Sequence, residues 1–144
     1  MAITQLSAFL ANTPGTLCEA VDAITTAGVN IRALCVAETK DFGILRIIVS
    51  DVEKTKEALD EHTVISETPV VVVKMSDQAG SLKKVLEILK DDQVNVEYVY
   101  AFTGAIHGSA YVVFRVDDVE EAERILQKKG IKTLVDEDLK EFLA

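Results

Sequence analysis

The chain has 144 residues, of which 49% are hydrophobic and 27% charged, and its net charge is −9. That length suits one ordinary domain or two small ones, and the composition is that of a globular protein. An acidic chain with no basic cluster argues against nucleic acid and against an anionic membrane surface as partners, because phosphate binding runs on Lys and Arg. No stretch approaches the ~18 apolar residues a membrane helix needs. The N-terminus lacks a basic n-region, so no secretory signal is expected. Cys18 and Cys35 are the only cysteines and are not spaced as CxxC. They suit a reducing compartment, and a cytoplasmic protein is expected.

Taken in chain order, residues 3–11 alternate as a strand with Leu6, Ala8 and Leu10 on one face. A helix follows over about 14–27, with Leu17, Ala20, Val21 and Ile24 on its apolar face. Segments 30–38 and 43–50 read as a hairpin. Leu34, Val36, Leu45, Ile47 and Val49 are expected to face the helices, and Ala33, Cys35 and Ala37 the other side. Asp51 caps a second helix, 52–62, with Val52, Thr55 and Leu59 inward. A short strand at 63–68 closes the set.

The chain then repeats itself. Gly15 falls on Gly80, Leu17 on Leu82, Asn30 on Asn95 and Gly43 on Gly108. After two extra residues between Gly108 and Val116, Asp51 falls on Asp118 and Leu59 on Leu126. An even insertion keeps strand parity, so the same face stays buried. The second copy predicts strands at 70–76, 95–103, 108–117 and 131–135, and helices at 80–92 and 118–129. The order βαββαβ occurs twice, which with antiparallel pairing and helices on one face is an α+β, ferredoxin-like arrangement. The expected domains are 1–68 and 69–135, with 136–144 a short terminal helix in which Leu139, Phe142 and Leu143 pack. The junction at Thr68-Pro69 has almost no linker, so independent tumbling is not expected.

A copy of about 70 residues buries a small core for its surface. Tyr98, Tyr100 and Phe102, with Tyr111, fall on the sheet face away from the helices. Such a patch is expected to be covered by the other copy, a second chain or the terminal helix. A homodimer is expected.

The segment NTPGTL at 12–17 precedes the first helix, and DQAGSL at 77–82 precedes its counterpart. Asn12 or Thr13 would serve as N-cap with Pro14 at the first helical position, and Asp77 could cap alone. Neither accounts for glycine at both 15 and 80. A glycine there leaves first-turn N–H groups uncovered, and such a helix end attracts a carboxylate. Asn12 or Asp77 would then meet an ammonium group, and an α-amino acid carries both charges. Valine at position 15 is expected to abolish binding and leave melting near wild type.

These motifs resemble those of the ACT domain, present twice. The family pattern N/D-x-P-G-x-L followed by a helix ending in G-V/I-N-I is matched by NTPGTL with GVNI at 28–31. It is matched again by DQAGSL with QVNV at 93–96, where the proline is Ala79 and the helix-end glycine is Gln93. The resemblance covers about residues 3–135. It implies an amino-acid-binding regulatory module whose ligand sits between paired domains. Carried over, the ligand contacts are Asn12, Thr13, Pro14, Gly15, Thr16 and Leu17 with Asn30 and Ile31. In the second copy they are Asp77, Gln78, Ala79, Gly80 and Ser81 with Asn95 and Val96. An amide at 30 or 95 can donate to a carboxylate and accept from an ammonium, although Asn also suits a plain turn there.

No catalytic constellation assembles. His62 and His107 stand apart, no metal set or phosphate loop appears, and the first loops lack the arginine of the acylphosphatases, which share this element order. No cofactor and no catalysis are expected. The leading expectation is a non-enzymatic amino-acid sensor that shifts its own assembly or its hold on a partner protein. The alternatives are a regulatory subunit of an amino-acid biosynthetic enzyme, resembling the acetolactate synthase small subunit, and a pure scaffold.

Overall fold

A computed structural model of the chain describes residues 2–59, 63–104 and 108–142, with side chains through residue 139. Two compact units divide the chain, one of Thr4–Thr68 and one of Pro69–Phe142, with Ile3 at the start of β1 grouped with the latter. The first contains β1 (Ile3–Ala11), α1 (Thr16–Thr26), β2 (Ile31–Glu38), β3 (Phe42–Val49) and α2 (Val52–Leu59). β4 runs without interruption over Val64–Ser76, through Thr68 and Pro69, where two separate strands are predicted from sequence. The second unit continues with α3 (Ser81–Asp91), β5 (Val96–Ala101), β6 (Ser109–Val116), α4 (Val119–Lys128), β7 (Lys132–Thr133) and α5 (Asp136–Phe142). His62 and His107, and the last residues of the predicted 52–62 helix, lie outside the described residues. Among the described residues no helix is long and apolar enough to cross a membrane.

Pairing is antiparallel within each βαββαβ set. In the first, β3 lies between β1 and β2, with Leu6 opposite Ile47 and Leu34 opposite Ile47 on its two sides. In the second, β6 lies between β4 and β5, with Val72 opposite Val113 and Tyr100 opposite Val113. β2 and β5 are therefore edge strands, paired on one side only.

Each unit has its own core on the helix side of its sheet. Leu6, Ala8, Leu10, Ala20, Ile24, Leu45, Ile47, Val49 and Leu59 form the first. Val71, Val73, Val85, Leu89, Phe114, Val116, Ala122 and Leu126 form the second. The predicted inward positions Thr55 and Leu59 are buried, and the Asp51 carboxylate accepts from Lys54 N–H as the predicted cap. Asp118 does the same for α4 through Glu121 N–H.

Four predicted core positions are corrected. Leu34 and Val36 stand on the same face as their partners Ile47 and Leu45 but are 39% and 48% exposed. Leu17 is 39% exposed, and Val21 is only half-buried. The cause is geometric: the buried stripe of α1 is Ala20 and Ile24, and the helix does not reach over the edge strand. The second unit repeats this, with Val85 and Leu89 buried while Leu82, Leu86 and Val99 are exposed.

The face away from the helices is not bare. Ala33 is buried, and Tyr98, Tyr100 and Phe102 are each half-buried. The Tyr98 and Tyr100 rings stack with centroids 6.4 Å apart, and Phe102 lies 5.6 Å from Tyr111. Tyr111 is buried, and α5 places Leu139 in a buried position. Burial first, and the charge of Asp138 second, hold the Tyr111 phenol above its ordinary pKa.

Candidate functional site

Both helix-opening loops adopt the same backbone. Gly15 has φ 86° and Gly80 φ 92°, each in the left-handed region that an L side chain rarely enters. A Cβ at either position would meet nothing within 4 Å, so conformation rather than space selects glycine. Each glycine is itself the N-cap, and neither helix receives a side-chain cap. The predicted caps are thus corrected: Asn12, Thr13 and Asp77 do not cap, and Pro14 precedes the cap instead of opening the helix. The reason is the left-handed turn, which carries the chain away from the geometry an Asn or Asp cap needs. Thr13 Oγ1 lies 2.7 Å from Thr16 Oγ1, so it reaches a hydroxyl rather than the helix end. Valine at 15 is also no longer a neutral probe, since a β-branched residue at φ 86° strains the backbone.

The loops close on themselves through Thr16 N–H to Thr13 C=O and Ser81 N–H to Gln78 C=O, at 3.4 and 3.2 Å. Gly15 and Gly80 carbonyls accept the first helical bonds, from Glu19 and Lys84, at 2.9 and 3.0 Å. The N–H groups of Leu17 and Cys18, and of Leu82 and Lys83, meet no acceptor among the described residues. They are the orphan donors of a helix start. Residues 12–15 and 77–80 are exposed, and Thr16 and Ser81 half-buried.

Asn30 and Asn95 begin the second strand of each repeat. Asn30 N–H donates to Ser50 Oγ at 3.0 Å, and Ser50 N–H returns to Asn30 C=O at 3.0 Å. Asn95 N–H donates to the Asp117 carboxylate at 3.0 Å, and Asp117 N–H returns to Asn95 C=O at 3.2 Å. These anchors leave both side-chain amides exposed and without a hydrogen bond among the described residues. Ser50 and Asp117 were not singled out from the sequence, although they occupy equivalent polar positions just ahead of Asp51 and Asp118. Ile31 and Val96 are half-buried at the strand starts.

The two halves of each predicted site do not meet within a repeat. The loop 12–17 and Asn30 stand at opposite ends of α1, whose 11 residues span about 16 Å. Asn12 N–H is held by Asp41 C=O at the hairpin end, while Asn30 is held by Ser50 at the far end of β3. The second repeat has the same separation, with Asp77 N–H on Gly108 C=O and Asn95 on Asp117.

Comparison with known proteins bears on the family and the fold. The chain matches the ACT domain pair over residues 1–143. It is similar to protein BT0572 from Bacteroides thetaiotaomicron, at 38% identity and TM-score 0.89, over 97% of this chain and 96% of that one. It shares its fold with the ligand-free regulatory subunit of aspartate kinase from Thermus thermophilus, at 12% identity and TM-score 0.63, over 88% and 93% of the two chains. The Thermus flavus subunit gives 12% identity and TM-score 0.59, over 89% and 93%. No curated protein matches the chain. A repeated βαββαβ unit, a left-handed glycine at each first helix and a match along nearly its whole length place the chain in the ACT domain pair family.

Proposed function

We propose that this protein is a cytoplasmic, non-enzymatic regulator that binds a free α-amino acid at its glycine-capped helix starts. One observation carries the reading: α1 and α3 both begin at a left-handed glycine with no side-chain cap, leaving uncommitted N–H donors in exposed loops. A helix start of this kind favours a carboxylate. The free amides of Asn30 and Asn95 add groups that can take an ammonium or a carboxylate oxygen. Since loop and amide stand at opposite ends of the helix, a complete site takes the loop from one ACT domain and the amide from another. The binding residues are then Asn12, Thr13, Pro14, Gly15, Thr16 and Leu17 with Asn30 and Ile31. Their second-repeat counterparts are Asp77, Gln78, Ala79, Gly80 and Ser81 with Asn95 and Val96.

A homodimer supplies that second domain. Leu34 and Val36 on β2 and Val99 on β5 are exposed apolar side chains on one-sided edge strands, and Leu17, Leu82 and Leu86 are exposed on α1 and α3. An exposed edge of this kind invites pairing with another chain. Ligand bound across the pair would favour the paired state by mass action.

A second reading makes the chain a regulatory subunit docked on an amino-acid biosynthetic enzyme. Its support is that two fold relatives are themselves regulatory subunits of aspartate kinase. Thermal-shift measurement against the twenty amino acids tests both readings: a selective, saturable rise is expected, and no rise with any of them overturns amino-acid sensing. A pull-down from extract with and without the active amino acid separates the two, since only the second demands a stoichiometric enzyme partner.

A further inference from the structure

The edge strand β2 is chemically self-complementary. Residues 32–38 read Arg-Ala-Leu-Cys-Val-Ala-Glu, with a cation at one end, an anion at the other and Cys35 at the centre. Among the described residues β2 pairs with β3 on one side and is open on the other. The hairpin shows which residues face the open side. Thr39 N–H donates to Phe42 C=O at 2.7 Å, so Thr39 directs its backbone groups at β3. That direction alternates along a strand. Ala37, Cys35 and Ala33 therefore also face β3, and Glu38, Val36 and Leu34 turn their backbone groups outward. The side chains of Leu34, Val36 and Glu38 are exposed, and Cys35 is half-buried.

Two copies of one edge strand pair about a two-fold axis, antiparallel. With the axis at Cys35, Leu34 meets the partner's Val36 and Arg32 meets the partner's Glu38. With the axis at Leu34, Arg32 would meet the partner's Val36. With the axis at Val36, Leu34 would meet the partner's Glu38. The Cys35 axis alone of these joins apolar with apolar and cation with anion, and both kinds of cross-strand pair are favourable. Arg32 lies in the bulge of β2, so its side chain rather than its backbone makes that contact. β5 has no such match. With the axis at the equivalent Tyr100, Glu97 would meet the partner's Thr103, and Glu97 pairs with Arg115 of its own chain at 3.4 Å.

The same register bears on the amino-acid site. Asn30 precedes β2, and antiparallel pairing carries it to the end of the partner's β2–β3 hairpin. At that end Asp41 C=O holds Asn12 N–H at 3.2 Å. The amide of one copy thus arrives at the helix-opening loop of the other, which a single repeat cannot achieve.

We infer that β2 pairs with β2 of a second copy, antiparallel and with Cys35 on the two-fold axis, so that Asn30 completes the partner's 12–17 loop. The second half of this inference rests on the reading of that loop and amide as one amino-acid site.

The test is disulfide cross-linking of the full chain in Cys18→Ser. The two Cys35 Cα atoms, a pair without backbone hydrogen bonds between them, would stand about 4.5 Å apart, within disulfide range. Copper phenanthroline with dioxygen takes two electrons and two protons from the thiols and leaves the S–S bond. A covalent dimer on a non-reducing gel is expected. The comparison is Ala37→Cys in Cys18→Ser/Cys35→Ser, on the same face. Its two cysteines would lie about 13 Å apart along the strands and should cross-link at least about tenfold more slowly. Glu38→Arg should raise the dimer dissociation constant roughly tenfold, since two opposite-charge pairs become like-charge pairs. Cys35 cross-linking no faster than Ala37→Cys, or an unchanged constant in Glu38→Arg, overturns the inference. Thermal shift of the wild type by an amino acid is read separately. A shift without the Cys35 cross-link discards the register and keeps loop binding, and the cross-link without a shift discards the amino acid and keeps the pairing.

Discussion

Gln93 ends α3 with the same left-handed turn that Gly28 gives the end of α1, at φ 58° against 77°. In both repeats the next residue donates back into the helix, Val29 to Ile24 C=O at 3.2 Å and Val94 to Leu89 C=O at 2.9 Å. The turn is thus required by the connection to the following strand, and the second repeat holds it with a residue that disfavours it. A non-glycine residue in this region costs about 1–2 kcal/mol, offset in part by the greater unfolded-state freedom of glycine. Gln93→Gly should therefore stabilise the protein by about 0.5–1 kcal/mol, and Gly28→Gln should destabilise it by a similar amount. Urea unfolding of the two variants checks both signs, and a destabilised Gln93→Gly contradicts the account.

Gly15→Ala and Gly80→Ala should each lower stability by about 1–2 kcal/mol, because φ near 90° strains any side chain although the space is open. Their melting shift should be present in the absence of ligand. Asn30→Ala removes an exposed amide with no hydrogen bond among the described residues and should stay within about 0.5 kcal/mol of wild type. It is therefore the cleaner probe of binding.

Much of this was legible in the sequence, for specific reasons. The alternation of Leu6, Ala8 and Leu10, the Asp51 and Asp118 caps and the recurring Gly15 and Gly80 each report a local constraint, and local constraints survive folding. Leu17, Leu34 and Val36 were misplaced because periodicity reports which face a residue shares, not whether a helix covers it. Pro14 misled because a proline before a helix usually opens it, and here a left-handed glycine intervenes. The unbroken β4 was missed because Pro69 punctuates the sequence. Proline is tolerated where a strand need not donate, and the Pro69 carbonyl still accepts from Arg115 at 2.9 Å. The separation of loop from Asn30 follows from the helix between them, which the sequence already predicts over 14–27.

The α3–α4 surface sets an acid-limb prediction. The Arg124 guanidinium, then a hydrogen bond from Asp92, hold the Glu121 carboxyl down at about 2. A depressed carboxyl contributes stability above its unfolded pKa, near 4.5, and loses it as pH falls toward 2. Asp92 moves the other way, raised first by its hydrogen bond to Glu121, so its contribution is present at low pH and fades as pH rises. Arg124→Gln should flatten the Glu121 part of the limb between about pH 4.5 and 2. Arg124 is exposed and Glu121 half-buried, so the difference should shrink in high salt. Chemical denaturation across that range measures it, and an unchanged limb in Arg124→Gln contradicts the assignment.

The exposed edges predict assembly. Val36→Glu places a charge on the edge strand β2, on the same face as Leu34, at a position already 48% exposed. Folding should be preserved, and the dimer dissociation constant should rise at least about tenfold, since a buried unpaired charge costs more than 1.4 kcal/mol. Sedimentation equilibrium reads this directly. A monomeric wild type, or a variant that dimerises as tightly, removes the edge as the pairing surface.

The central claim is that an α-amino acid is held by the uncapped start of α1 together with the amide of Asn30. Its most direct test is calorimetric titration of wild type and Asn30→Ala with the amino acid that gives the largest thermal shift. The account predicts saturable binding to wild type and loss of that binding in a variant that melts with wild type. Equal affinity in the two proteins, or no heat with any of the twenty, contradicts it.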